Sequence, residues 1–377
     1  MTDRNGTFVP QRLLLARFWE SARGFWSGRS AWRVWLLCLT AIGIVIAQLA
    51  IQYQLNYWNR DFFNALEQRD HAALRYAILL FFPLVAASTG LAVASVWSRM
   101  TIQRNWRWYL TKLLIVSWLV DCHYRSLGHL NATDLPRNAE YRIAEDARVA
   151  TDAPVDLTLA LLYSVLTVIV FFQVLANLGG SITIQTAGIH LTIPSYLAIA
   201  VLVYSGVVLT ATLVMGHRLI AVIQDQKQAE ATFRASANLV RESGEGILLR
   251  DIESEDRHEL WRGLRNVIEH WRQLCWQLVR ITFVSQTNLL LAPAIGLLLC
   301  VPKYLAEDMT LGEVTQAAAA FATVQAALNW FVDNFQRMAD WQSAANRVAA
   351  FLFAIDDLKR GAIPSAVDLS GSGAKAI

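Results

Sequence analysis

Long apolar blocks, each about the length of a membrane-spanning helix, constrain the fold of this chain more than any other feature of its sequence. A helix that crosses a bilayer needs about 20 predominantly apolar residues. Six blocks of that length lie at about 35–57, 77–97, 157–178, 196–215, 284–301 and 314–335. The last block is the least apolar, and its four consecutive alanines at 317–320 allow close helix packing. The blocks predict an all-α integral membrane protein with six transmembrane helices.

The composition fits a membrane protein and argues against several other classes. Charged residues make up 17% of the chain, whereas soluble domains average about a quarter, and the 14 Trp residues suit lipid–water boundaries. The net charge of +3 does not indicate a nucleic-acid partner. The four cysteines form no CxxC pair and the seven histidines no HExxH motif, so we expect neither a metal site nor a disulfide framework.

The basic residues lie mainly on one side of the predicted spans. Lys and Arg number six before the first span, eight between the second and third, ten between the fourth and fifth, and five after the sixth. The three remaining connections hold three, none and one. Because basic residues accumulate in cytoplasmic loops, the sequence predicts that both termini are cytoplasmic. In the absence of a recognisable organellar targeting segment, we expect a multi-pass protein of the bacterial inner membrane.

Both long connections on the predicted cytoplasmic side have a helical pattern. Segments that continue from a span or lead into one lie at 99–120, 139–156, 215–241 and 260–280. We expect these helices to project well beyond the bilayer. Polar turns near 130–137 and 250–256 are the places where a cytosolic partner could dock.

An amphipathic segment precedes the first span. At the helical period its apolar residues share one face: Leu14, Leu15, Phe18, Ala22, Phe25 and Trp26. We expect this segment to lie in the membrane interface, although a simple extension of the first span fits the same residues. The predicted organisation is a cytoplasmic N-terminus with an interfacial helix (1–30), a six-helix membrane domain (31–356) and a flexible tail or linker (357–377).

Polar residues recur at helical spacing in the first and sixth spans. Each set lines one helix face: Gln48, Gln52 and Asn56 in the first, and Gln325, Asn329 and Asp333 in the sixth. Such residues mark either a hydrated substrate pathway or hydrogen bonds between helices, and the sequence leaves both open. Asp333 lies about 30 Å along the helix from Glu313, near the predicted cytoplasmic boundary. There it is either a functional acid or a solvated helix-end residue.

Four stretches resemble one family of membrane proteins. LNYWNRDFFNAL at 55–66 is similar to the end of the first span in the SbmA/BacA-like group, which is related to the subfamily-D ABC transporters. NAEYRIAED at 138–146 is similar to the family's N-P-D-Q-R-I-x-x-D segment, without its Pro-Asp-Gln triplet. EATFR at 230–234 and the residues after it resemble the second long connection, with Ile252-Glu253 in place of the usual Gly-Glu pair. The segment 310–335, with TLG, TQ and WFVDNF, resembles the sixth span.

The resemblance implies the exporter-type fold of an ABC transmembrane domain that works as a dimer. It also implies residues that couple the long connections to a cytosolic partner. The positions that match the family in those connections are Asn138, Arg142, Asp146, Glu230, Arg234, Arg241 and Glu245. Opposite charges among them can pair between helices, and the same charges fit a role in keeping the helices soluble.

The chain contains no G-x-x-x-x-G-K-[ST] phosphate-binding loop, so we expect no catalytic residue, no cofactor and no ATP hydrolysis in this chain alone. Three functions fit. The first is an ABC transmembrane domain that moves peptides or hydrophobic acyl compounds, with ATP and Mg²⁺ bound by a nucleotide-binding domain elsewhere in the full protein or in a separate subunit. The second is an ATP-independent, proton-driven peptide importer of the SbmA/BacA type. The third is a truncated product that transports nothing.

Overall fold

The computed structural model describes residues 11–28, 31–120, 139–186, 189–244 and 252–359. In these ranges the chain is helical except for one hairpin and short turns. The elements, in chain order, are α1 (Gln11–Ser27), α2 (Ala31–Glu67), α3 (His71–Leu119), α4 (Ala139–Tyr141), a π-helical turn (Arg142–Asp146), α5 (Ala147–Gly179), β1 (Ser181–Thr186), β2 (Ile189–Pro194), α6 (Tyr196–Gly244), α7 (Ile252–Leu305), α8 (Leu311–Asp333) and α9 (Phe335–Lys359).

The helices match the predicted spans. Within the described ranges, α2, α3, α5 with its π-helical turn, α6 and α7 are long and apolar enough to cross a membrane, and they contain the first five spans. Helix α8 coincides with the sixth span. It has 23 residues, about 35 Å of helix, which exceeds a hydrocarbon core of about 30 Å. It is less apolar than the other five because Ala, Gln and Thr take the place of larger apolar residues. The predicted all-α membrane fold is confirmed.

Several helices are far longer than a bilayer crossing needs, which agrees with the predicted helical extensions. Helices α3 and α6 have 49 residues each and α7 has 54, whereas a crossing takes about 20. The predicted docking turn at 130–137 lies outside the described residues. The other, at 250–256, enters the described part only at Ile252, where α7 begins.

A β-hairpin that we did not predict follows α5. Strands β1 and β2 pair antiparallel, from Ser181 with Pro194 to Thr186 with Ile189. Apolar residues alternate along both segments of the sequence, which is the strand period and was the available signal. Gly180 turns the chain out of α5 with a φ of +54°, a conformation that favours glycine.

The chain from the predicted sixth span onward forms two helices, and the first of them ends within the predicted range 314–335. Helix α8 ends at Asp333, and α9 begins after Asn334, whose carbonyl accepts from the Met338 amide at 3.0 Å. Asparagine is a favoured residue at the start of a helix. Helix α9 continues to Lys359, three residues past the predicted end of the membrane domain.

The chain divides into two compact units, which we describe separately. The first unit contains the described residues up to Ile169 together with those from Asp333 onward. The second unit is Val170–Val332. Span three and span six therefore each contribute residues to both units.

An aromatic cluster holds α1 on α3 in the first unit. Trp106 of α3 is 1% exposed. Its ring stacks on that of Phe25, with centroids 6.0 Å apart and planes 9° apart. The helices approach closely because residue 24 is glycine: a Cβ atom at Gly24 would lie 2.0 Å from Tyr109 Oη.

The apolar face of α1 packs on protein within the first unit, and the expected position of this helix in the membrane interface stays a prediction. Phe18, Ala22 and Phe25 belong to one buried cluster with residues of α3, α5 and α9. The sequence shows the stripe on α1 but not the equally apolar face of α9 that meets it. Trp19, beside the buried face, stays 46% exposed.

Helices α6 and α7 pair along their length in the second unit. Tyr196 Oη donates to the Leu299 carbonyl at 3.0 Å, and Tyr204 Oη donates to Asn288 Oδ1 at 3.0 Å. Lys303 Nζ donates to the Gly179 carbonyl at 2.6 Å, and a cation there stabilises the C-terminus of α5.

Small residues bring α7 and α8 together in the second unit, as predicted for the alanine run. Ala317 and Ala320 are fully buried. A Cβ atom at Gly296 of α7 would lie 3.0 Å from Ala318 Cα and 2.9 Å from Phe321 Cβ. Close backbone approach of this kind strengthens helix packing in a membrane.

Replacing Trp106 by alanine should lower the free energy of unfolding by about 3–5 kcal/mol, the usual cost of deleting a buried aromatic side chain. Trp108, two residues away and 75% exposed, is the matched control, and Trp108→Ala should cost less than about 1 kcal/mol. Denaturant unfolding of the detergent-purified variants, followed by circular dichroism, measures both. Equal losses would show that the cluster does not hold α1 in place.

Candidate functional site

Three arginine–aspartate pairings connect the helices of the first unit on the predicted cytoplasmic side. They centre on Asp146, Asp156 and Asp356, and each joins residues of different elements. Helix α9 takes part in every one, through Arg347, Arg337 and Asp356 respectively. We call these three sites the α9 links.

The central α9 link surrounds Asp146, the last residue of the π-helical turn. Its carboxylate is 1% exposed. Arg347 donates from Nε to both carboxylate oxygens at 3.0 Å, and from Nη2 to Oδ1 at 2.6 Å. Arg142, one turn before Asp146, donates from Nη1 to Oδ2 at 2.8 Å. The planar guanidinium of Arg347 thus holds the carboxylate by charge-assisted hydrogen bonds with a fixed orientation.

Burial makes the central link sensitive to the loss of either partner. A buried carboxylate without a counter-charge costs several kcal/mol, and removing one partner strands the other. The hydrogen bond to Asp146 raises the pKa of Arg347 above its ordinary value, so Arg347 stays charged at every physiological pH. The link therefore fixes α9 against the π-helical turn, an irregularity that is frequent at functional sites.

The second α9 link gathers three helices around Asp156 of α5. Its Oδ2 accepts from Arg337 Nη2 of α9 at 2.6 Å. Its Oδ1 accepts from Gln103 Nε2 of α3 at 2.6 Å and lies 3.2 Å from Arg99 Nε of the same helix. One turn earlier, burial raises the pKa of Asp152. A single carboxylate thus holds α3, α5 and α9 in register.

The third α9 link joins the N-terminal helix to the last helix. Arg17 of α1 donates to Asp356 Oδ2 from Nε at 2.9 Å and from Nη2 at 2.8 Å. Both side chains are partly buried. Helix α1 is thus bound to α9 by an ion pair and, through the buried cluster, by apolar contact.

Two of the three residues of the central link were candidates from the sequence. They are Arg142 and Asp146, and the structure brings them together. The third, Arg347, was missed and belongs to none of the quoted stretches. A signal was available: Arg347 stands between Ala344, Ala345, Val348 and Ala349, all fully buried. A charge within a buried apolar stripe implies a buried counter-charge.

The candidate residues of the second long connection do not form a cluster of ion pairs among the described residues. Arg234 is exposed on α6, and Glu230 is half-buried and accepts from Gln226 on the same helix. Neither forms a salt bridge with any residue that the structure describes. Arg241 lies in α6 but its side chain is not described, and Asn138 and Glu245 lie outside the described residues.

The polar stripe of the first span lies on α2 in the first unit. Gln48 and Gln52 are half-buried there, and Asn56 is 6% exposed. All three belong to one helix face, as their spacing requires. Their partial burial fits either a pathway lining or contacts between helices.

The polar stripe of the sixth span lies on α8. Gln325 is 3% exposed and Asn329 is half-buried, both in the second unit. Asp333 is exposed at the end of the helix and belongs to the first unit. Its exposure fits both a solvated helix-end residue and a substrate contact.

The chemistry of the α9 links is electrostatic. Within the described ranges, no group of three or more His, Cys, Asp or Glu side chains is placed to hold a metal ion. The ion pairs connect α9 directly with α1, the π-helical turn and α5, and through Asp156 with α3.

Comparison with known proteins identifies the family. The model of ABC transporter transmembrane region 2 matches residues 25–305. The inner membrane ABC transporter ATP-binding protein YddA of Escherichia coli (strain K12) is 25% identical over 348 residues, which cover 91% of this chain and 61% of that protein. ABC transporter D family member 2, chloroplastic, of Arabidopsis thaliana is 22% identical over 349 residues, or 92% of this chain and 46% of that protein.

A further relative is the uncharacterized ABC transporter ATP-binding protein sll0182 of Synechocystis sp. (strain ATCC 27184 / PCC 6803 / Kazusa), 24% identical over 321 residues. The match covers 85% of this chain and 46% of the relative. The chain thus spans from about half to 61% of the length of these three relatives. The described residues contain five helices that are long and apolar enough to cross a membrane, and the family match covers most of the chain, so this chain is a multi-pass membrane protein that belongs to the ABC transporter transmembrane region 2 family.

Proposed function

We propose that this chain is the membrane domain of an ABC transporter that is powered by an ATP-binding domain, either in a longer protein or in a separate subunit. The observation that carries the proposal is the length of the relatives: two that are named as ATP-binding proteins match this chain over only 61% and 46% of their length. Residues 25–305 match a transmembrane region. The remainder of such relatives has room for a domain that binds ATP.

The α9 links give the proposal a mechanism. Helix α9 follows span six and leads towards the C-terminus, so a domain attached there would pull on α9 first. The links pass that movement to α1, α3 and α5 through charged groups that cannot separate cheaply. Two such chains, related as a homodimer in the bacterial inner membrane with cytoplasmic termini, would expose a central pathway alternately to each side.

The resemblance to the SbmA/BacA-like and subfamily-D transporters supports a proposal for the substrate class. Peptides or hydrophobic acyl compounds would be the substrates, and the polar residues of the α2 stripe and of the α8 stripe would contact them during transport. Asp333, at the predicted cytoplasmic mouth, would meet cationic groups of a substrate.

A second candidate is an ATP-independent, proton-driven importer of the SbmA/BacA type. The stretch 55–66 at the end of the first span, which resembles that group, favours it. In that case the gradient of protons across the membrane, rather than an ATP-binding domain, would drive the movement of α9.

The energy source separates the two candidates. We expect the protein, immunopurified in mild detergent from membranes of its source cell, to carry vanadate-sensitive ATP hydrolysis. Uptake of a fluorescent peptide into vesicles of those membranes should stop with vanadate and continue with a protonophore. Purified material without ATPase activity, together with uptake that only the protonophore abolishes, would overturn the proposal in favour of the proton-driven importer.

Water-soluble thiol reagents test the pathway without knowledge of the substrate. In a variant without native cysteines, Gln52→Cys and Asn329→Cys should react with an impermeant maleimide, because a thiol ionises and reacts in water but not in lipid. Leu39→Cys, on the 65% exposed side chain of an apolar face of α2, is the control and should stay unmodified. Protection of the first two positions would show that the stripes pack between helices.

The central α9 link should be required for transport and for stability. Asp146→Asn leaves two guanidinium groups facing a neutral amide, so we expect a loss of about 2–4 kcal/mol in the free energy of unfolding and a severalfold drop in transport. The exposed Asp340 of α9 provides the control, and Asp340→Asn should change neither quantity measurably.

A double-mutant cycle shows whether the loss belongs to the pair. The combination of Asp146→Asn with Arg347→Gln should destabilise the protein by clearly less than the sum of the single variants. Additive losses would show that the two side chains act independently and would remove the link from the coupling mechanism.

A further inference from the structure

A cavity of about 460 Å³ opens between α6 and α7 in the second unit. Its polar lining is dominated by arginines from both helices. Arg218 comes from α6, Arg272 and Arg280 come from α7, and Trp276 lies between the latter two. The volume falls within the range of small-molecule sites in proteins.

The cavity lies at the depth of lipid headgroups on the predicted cytoplasmic side. Arg218 is 22 residues from Tyr196, the first residue of α6, which is about 33 Å along the helix. Arg280 is 25 residues from Leu305, the last residue of α7, or about 38 Å. Both distances slightly exceed a hydrocarbon core of about 30 Å. Gln277 Nε2, which donates to the Met215 carbonyl, ties the two helices together at this depth.

The positive charge of the cavity is only partly compensated. Glu269 is the single acidic side chain of the lining, and it accepts from Arg272 Nη2 at 2.7 Å. Arg218 and Arg280 form no ion pair with any residue in the described part of the chain. Two guanidinium groups therefore face one space without a counter-charge, which suits a phosphate oxygen.

An apolar groove continues along α7 towards the membrane centre. It has a volume of about 430 Å³, and its lining includes Phe283 and Leu290, which are 70% and 73% exposed. Trp276, 62% exposed, has the amphipathic ring that favours the headgroup level. The order along α7 is thus arginine, tryptophan and arginine, followed by apolar surface.

We propose that this cavity binds the headgroup of an anionic phospholipid of the predicted cytoplasmic leaflet, with its acyl chain along the apolar groove of α7. Charge complementarity selects the phosphate, and basic pockets between transmembrane helices on this side of a membrane are suited to anionic headgroups. The groove selects a lipid over a free phosphate, since a free phosphate has no part to place there. The bound lipid bridges Arg218 and Arg280 and so holds α6 and α7 together where they leave the bilayer. The site is separate from the α9 links and does not depend on how transport is powered.

Native mass spectrometry of the detergent-purified protein, titrated with phosphatidylglycerol or phosphatidylcholine, tests the proposal. We expect the wild type to retain phosphatidylglycerol preferentially. Arg218→Gln combined with Arg280→Gln should weaken that binding about tenfold or more, because each basic side chain near the headgroups contributes to the attraction. Lys227→Gln combined with Arg265→Gln removes the same charge from the same two helices outside the cavity lining and should leave binding within about twofold of wild type.

Each contrary result overturns the proposal. Equal retention of phosphatidylcholine would remove the selection for charge. Equal weakening in both double variants would reduce the effect to the overall charge of the helices. Displacement of phosphatidylglycerol by millimolar inorganic phosphate would identify a free-phosphate site. Circular dichroism and gel filtration of each variant confirm that it is folded before binding is compared.

Discussion

Backbone hydrogen bonding in lipid is the constraint on which the rest of this structure depends. A chain that crosses a bilayer has to satisfy every amide within itself, and a continuous helix does so. In this protein the same helices continue without interruption for some 25 to 35 residues beyond the length that a crossing needs. The far ends of these helices are therefore connected to the membrane by continuous helix.

The helical extensions need fixed contacts outside the bilayer, where water competes for the hydrogen bonds of every polar group. The first unit supplies these contacts in two forms. The aromatic cluster around Trp106 is apolar and orients α1 on α3. The α9 links are charged, and the central one excludes water from its carboxylate almost completely. An exposed ion pair at the same place would contribute little, so burial is what makes Asp146 an effective anchor.

Sequence patterns were sufficient to predict where the helices lie, but insufficient to predict which helices contact each other. The apolar blocks located the crossings, and helical periodicity located the long extensions, because both depend on local spacing. The apolar stripe on α1 could be predicted from the sequence, but its contact with α9 could not. An apolar face does not indicate which other apolar face it will pack against. The same holds for Asp146: its match to a family segment drew attention to it, whereas Arg347 lies 201 residues away. The hairpin after α5 was not predicted, although apolar and polar residues alternate along both of its strands. Alternation over six residues is a weak signal beside six long apolar blocks that predict helices.

The central α9 link constrains how Asp146 and Arg347 can change during evolution. Asp146 is buried between two guanidinium groups, so a lineage that replaces it first has to survive with two stranded cations, and one that replaces Arg347 first has to bury an undercompensated anion. Exchanging the two charges, or replacing both residues by uncharged ones, requires two codons to change. The intermediate with only one change encodes an impaired protein. The two positions are therefore expected to be kept or exchanged together, even though they lie 201 residues apart in the sequence.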